Sequence, residues 1–149
     1  MNKLVTPNTI TVVCCDEPSC KMFLEVLRRN FPKGLVPDFH VVEIPGGAMC
    51  LGKGSLSERD AAVARVREGI KLSYSDRVIL LAAEDCGHHG SSAAFASADH
   101  ERVVVGNCLD DARVLLRDAI PGVEVSCVFG SLCLYEVNGL AFKSLTTAA

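Results

Sequence analysis

The sequence predicts an α/β domain built on a mainly parallel β-sheet with helices on its faces. Two observations lead there. Strand-like segments alternate with segments of helical periodicity, and the strand segments are continuous apolar or β-branched runs, as in strands covered on both sides. The chain has 149 residues, 49% of them apolar, enough for one core that buries roughly two thirds of the unfolded surface. A single domain over residues 1–149 follows, with no repeat, low-complexity stretch or linker to divide it.

Thr9 to Cys15 is a β-branched run that stops at Asp16-Glu17-Pro18-Ser19, a strand followed by turn residues. From Cys20 to Phe31, Met22, Phe23, Val26 and Leu27 recur at helical spacing, with Arg28, Arg29 and Asn30 at the end. A second strand, His40 to Ile44, closes at Pro45-Gly46-Gly47, where glycines allow backbone geometry that a side chain forbids, and a loop is expected next. Ser55-Leu56-Ser57-Glu58 has capping-box spacing, and Ala62, Val63, Val66, Ile70 and Leu72 trace a helix to about Ser73, its charges forming a solvated face. Arg77 to Ala82 is the next strand. It ends in the most polar turn of the chain, Glu84-Asp85-Cys86-Gly87-His88-His89-Gly90. Leu109, Ala112, Leu115, Leu116 and Ala119 mark a helix that reaches Pro121-Gly122, and Val123 to Phe129 and Leu132 to Val137 complete the order β-α-β-α-β-α-β-β.

The formal charge is only −3, and lysines and arginines are scattered rather than striped, so no footprint for nucleic acid is expected. No apolar run approaches the ~20 residues needed to cross a bilayer, and Met1 to Pro7 lacks the pattern of an export signal. The expectation is a soluble protein without a membrane partner. Of the eight cysteines, Cys14, Cys108 and Cys127 fall in apolar or periodic segments as small core residues do, which points to a reducing, cytoplasmic setting. Cys15, Cys20, Cys50 and Cys86 lie beside turn signals and join Cys14 as candidates for chemistry.

Ligands of parallel sheets bind beyond the carboxyl ends of the strands, so three turns matter: Cys14 to Pro18, Pro45 to Ala48, and Ala83 to Gly90. Thiolates from the first and third could share a metal. Zinc takes tetrahedral sulfur and nitrogen ligands, and a catalytic site keeps one position open for water.

At these turns the chain resembles the β-class carbonic anhydrases, whose signature is Cys-x-Asp-x-Arg after the first strand and His-x-x-Cys-Gly after a later one. Cys14-Cys15-Asp16-Glu17-Pro18 and Ala83-Glu84-Asp85-Cys86-Gly87 stand in those places. Ile44-Pro45-Gly46-Gly47 is similar to the intervening glycine loop, and Ile120-Pro121-Gly122-Val123-Glu124-Val125 to the passage from the last long helix into the last core strand. Four short motifs in the family's order cover most of the chain. The resemblance implies a β-carbonic-anhydrase-like fold, Cys14 and Cys86 as zinc ligands, Asp16 as the catalytic carboxylate beside metal-bound water, and a homodimer or higher homo-oligomer. If the protein is active, it implies a zinc-dependent lyase, a carbonate dehydratase acting on carbon dioxide and bicarbonate.

Two positions depart from the family pattern. The histidine ligand three residues before Cys86 is Ala83, and the arginine that holds the aspartate is Pro18. Alanine cannot bind zinc, so a replacement donor must come from His88, His89, His40 or Cys15, and Cys86-Gly87-His88-His89 has a Cys-x-x-His spacing compatible with chelation. Without the arginine, Asp16 loses the cation that would lower its pKa, and it becomes a further candidate ligand. The expectation is a divergent, zinc-binding protein with weak or absent carbon dioxide hydration.

Plainer readings stand beside this one. Cys14 and Cys86 fit a pair of small buried residues, His88 and His89 fit ordinary turn residues, and His40 fits a packed strand residue. Glu84 and Asp85 fit solvated carboxylates near a helix start. Pro45-Gly46-Gly47 lacks the lysine of a phosphate loop and is expected to approach the site closely. A Cys15–Cys20 disulfide is disfavoured by the helix start between them. The competing functions are a non-catalytic dimeric binding or regulatory module without metal, and a hydrolase with Cys86 as nucleophile and His88, His89 or His100 as base. The second lacks a Gly-x-Cys-x-Gly elbow, and Glu84 and Asp85 would raise the thiol pKa.

Overall fold

A computed structural model describes residues 9–15, 18–29, 38–83, 92–130, 133–138 and 145–146. The β-branched run becomes β1 (Thr9–Cys14), with every residue after Thr9 buried. α1 (Pro18–Arg29) opens on the proline itself, two residues before the expected start. A proline at the first helical position lacks an N–H that would have no intrahelical partner anyway. β2 (Asp38–Glu43) follows, and the expected loop beyond it instead holds a short helix, α2 (Ala48–Lys53), entered through Gly46 and Gly47 at φ 82° and 50°.

α3 (Leu56–Ser73) starts with the expected capping box. Ser55 Oγ accepts from Glu58 N at 3.3 Å, and the Glu58 carboxylate accepts from Ser55 N at 3.2 Å. β3 (Arg77–Ala83) is buried after its first residue. A single 3-10 turn at Ser92–Ala94 precedes α4 (Ala98–Ala119), which is capped by the Ser97 side chain and starts well before the expected Leu109. β4 (Glu124–Gly130), β5 (Cys133–Asn138) and a two-residue β6 (Leu145–Thr146) complete the chain order.

The strands lie in one six-stranded sheet, β2-β1-β3-β4-β5-β6. β2, β1, β3 and β4 are mutually parallel, while β5 and β6 run antiparallel at one side. The molecule is thus an α/β domain with a four-stranded parallel sheet flanked by helices.

Strand alternation divides the core into two layers. On one face Ile10, Val12, Cys14, Ile79, Leu81, Ala83 and Val128 pack beneath Phe23, Leu24, Val26 and Leu27 of α1. On the other, Val13, Val42, Val78, Leu80, Ala82, Cys127 and Phe129 meet α2, α3 and α4. Two residues expected on buried helix faces lie outside: Met22 is 52% exposed and Leu72 66% exposed. Among the described residues no helix is long and apolar enough to cross a membrane.

Candidate functional site

From β1 the chain crosses through α1 to β2 on one side, whereas β3 and β4 lie on the other. The strand order therefore reverses between β1 and β3, and the crevice beyond the carboxyl ends of these two strands is where an open parallel sheet offers a ligand site. Cys14 ends β1 and Ala83 ends β3. Both side chains point to the α1 face and belong to one buried cluster, with Cys14 0% and Ala83 1% exposed. The first turn and the third thus emerge side by side.

The second turn closes on the first. Ile44 N donates to Cys14 O at 2.9 Å, and Gly47 N donates to Ile44 O at 2.7 Å. A Cβ added at Gly47 would lie 2.9 Å from Cys15 N and 3.3 Å from Cys14 C, while Gly47 itself sits at φ 50°. The close approach expected of Pro45-Gly46-Gly47 is present. Both strain and contact with backbone oppose a side chain there, so Gly47→Ala is expected to cost about 1–3 kcal/mol, read as a lower urea midpoint with unchanged slope. A cost below about 0.5 kcal/mol would show that the turn relaxes freely.

Ala83 has a specific neighbourhood. Across the β3–β4 ladder it faces Gly130, and Phe23 packs over that glycine so tightly that an added Cβ would meet its ring at 2.5 Å. Phe23, Cys14 and Ala83 share the same cluster. Two adjacent small residues make room for an aromatic ring beside the position where the family pattern has histidine.

Cys108 and Cys127 are buried core groups. Cys108 Sγ donates to Ala48 O at 3.4 Å and Cys127 Sγ to Leu109 O at 3.5 Å. Burial pushes the first thiol up to about 11 and the second up to about 12, so neither is a ready nucleophile or ligand. Cys50 lines a half-open cleft of about 380 Å³ with Pro45, Gly46, Met49, Lys53, Gly54 and Glu58. Its thiol is raised by burial and then by the Glu58 carboxylate.

His40 pairs with Thr11 and packs against α3, where a Cβ at Gly69 would lie 3.4 Å from its Cδ2. It occupies the opposite face of the sheet from Cys14, which removes it as a shared ligand. His100, a candidate base, accepts from Ala96 N at 3.1 Å through Nδ1 and meets Phe95 edge-on, with ring centroids 5.8 Å apart. That is a structural role at the start of α4. Asp16, Cys86, His88 and His89 lie outside the described residues, as does the side chain of Cys20. Among the described residues no three His, Cys, Asp or Glu side chains converge in a way that could hold a metal. Of the expected donors, Cys14 and Cys15 are placed at this end of the sheet, both buried in one cluster, with Cys14 at the strand end where the resemblance puts a ligand. The fit to zinc therefore turns on Cys86 and its neighbours.

Sequence reasoning missed one residue at this end of the sheet. Glu101, in the first turn of α4, is 1% exposed and accepts a hydrogen bond from Ser92 Oγ at 2.8 Å. The available signal was its position four residues before Val105 in the buried stripe. Comparison with protein-family models, curated proteins and solved structures found no match.

Proposed function

We propose that the chain is a divergent relative of the β-class carbonic anhydrases that holds zinc through Cys14 and Cys86 with an altered third ligand, and hydrates carbon dioxide weakly or not at all. The observation that carries this reading is that Cys14 and Ala83 end adjacent parallel strands on one face of the sheet, at the reversal of strand order. A ligand from each turn can meet in such a crevice. His88, His89 and Cys15 remain as replacement donors, and Asp16 is the catalytic carboxylate of the active form of this proposal. Bound zinc would supply an acidified water, with a pKa lowered from 15.7 toward about 7.

The chain's own residues explain the weak activity in this proposal. Ala83 supplies no imidazole, Pro18 begins a helix where the resemblance calls for an arginine, and Phe23 packs over Gly130, the cross-strand neighbour of Ala83. Those same residues favour a second reading, a metal-free dimeric binding or regulatory module on the same fold. The packing of Phe23 over Gly130 beside Ala83 is its specific support.

Metal content of the untagged protein separates the two. Near one zinc per chain is expected, lost in both Cys14→Ser and Cys86→Ser, because removing one of few thiolate ligands removes most of the site. No zinc in the parent after reconstitution under reducing conditions sinks the metal reading and leaves the module. Hydration at a rate abolished by chelation and restored by zinc would instead show a working enzyme.

A further inference from the structure

The side chains of β1 alternate between the two core layers. Ile10, Val12 and Cys14 pack in the cluster under α1, and Val13 packs in the cluster on the opposite face. Strict alternation would send Cys15 to the face of Val13. It instead joins Cys14 and Ala83 in the cluster under α1, 4% exposed. The strand has ended at Cys14, and the turn after β2 closes on the chain at this point: a Cβ added at Gly47 would lie 2.9 Å from Cys15 N and 3.3 Å from Cys15 Cβ. The break in alternation brings two consecutive thiols into one cluster, and neither forms a disulfide. Consecutive Cα atoms are about 3.8 Å apart. Two sulfurs held about 2.3 Å from one tetrahedral zinc are also about 3.8 Å from each other. Consecutive cysteines packed in the same cluster therefore suit a shared ion, whereas in an unbroken strand they point to opposite faces. His40 offers no such placement, because it packs against α3 on the far face.

We propose that Cys15 is the third protein ligand of the zinc site, beside Cys14 and Cys86. The assignment rests on the zinc reading and names the donor that stands in for the imidazole missing at position 83. A thiolate in place of a neutral imidazole adds negative charge around the metal. That charge opposes the acidification of water on which hydration depends, in keeping with weak or absent activity.

The test uses the full untagged chain under reducing conditions, loaded with zinc or with cobalt(II) as a spectroscopic probe. The variants are Cys15→Ala and Cys15→Ser, with the urea midpoint of the metal-free protein as the check on folding. Expected is near one zinc per chain in the parent, and loss of that zinc in both variants with the fold intact. Cobalt in the parent should show thiolate-to-metal charge-transfer absorption about one and a half times that of a two-thiolate site, because three sulfurs bind. If neither variant folds, this count of sulfur donors in the parent decides alone. Zinc retained in folded Cys15→Ala, or two-thiolate absorption in the parent, overturns the assignment of Cys15 and leaves the zinc reading standing with another donor. A parent that takes up neither metal overturns both.

Discussion

Ala83→His combined with Phe23→Leu is expected to raise zinc affinity at least roughly a hundredfold over the parent, equivalent to about 2.7 kcal/mol. Ala83 is 1% exposed at the end of β3, on the same face as Cys14, so an imidazole there would enter the cluster that holds the thiol. The obstacle is the aromatic ring over Gly130, the residue that faces Ala83 across the ladder. Leucine in place of that ring opens space while keeping an apolar cover for the cluster. Ala83→His alone should gain less, because the imidazole must compete with the ring for volume. Competition with a chromophoric chelator measures the gain. Equal affinity in the parent and the double variant would mean that the two strand ends do not frame a zinc site. On the zinc proposal, hydration should stay slow even with zinc bound, since residue 18 is a proline where the resemblance calls for an arginine.

The same ring anchors α1, and Phe23→Ala should therefore cost about 3–5 kcal/mol of stability, among the largest effects of any single change. Phe23 is 3% exposed and buries its ring against β3 and β4. Urea unfolding would show the loss as a lower midpoint with an unchanged slope. The converse substitution, Gly130→Ala, puts a methyl into the ring and should cost about 1–3 kcal/mol by overpacking. The two are in contact, so their effects should not add, and Gly130→Ala should cost less when residue 23 is already alanine. Additive costs would mean that Phe23 and Gly130 do not constrain each other.

The strands were legible because their residues carry the signal locally. Thr9 to Val13 is β-branched throughout, and Val78 to Ala82 is continuously apolar, as burial on both faces requires. The capping box at Ser55 was legible because both partners are named by a four-residue pattern. The start of α4 was hidden by its own composition: Val103-Val104-Val105 reads as strand, Gly106 is a poor helix former, and Glu101 interrupts the apolar period. Tertiary packing of that helix on β4 and α2 overrides those local preferences. α2 was hidden because six residues are too few for a periodic signal, and it forms through Leu51, which is fully buried.

At the candidate site, the proximity of the first and second turns could be read from the glycines, and the emergence of Cys14 next to the end of β3 from the alternation of elements. The side on which each residue points could not. His40 and Cys14 are separated by the sheet because alternation along parallel strands in register places one under α3 and the other under α1. The role of Phe23 was equally invisible, since it depends on Gly130, 107 positions away, being opposite Ala83.

The strand order also governs when the chain can become protein during synthesis. β1 is an interior strand that needs neighbours on both sides, β2 on one and β3 on the other. A nascent chain that ends after α3 has β2 in place but leaves the other edge of β1 open, along a run of Ile10 to Cys14 that is apolar apart from Thr11. An open, β-branched edge is a template for pairing with other chains. A chain that ends between α3 and Arg77 therefore leaves this edge of β1 open, and β3 covers it once folded against β1.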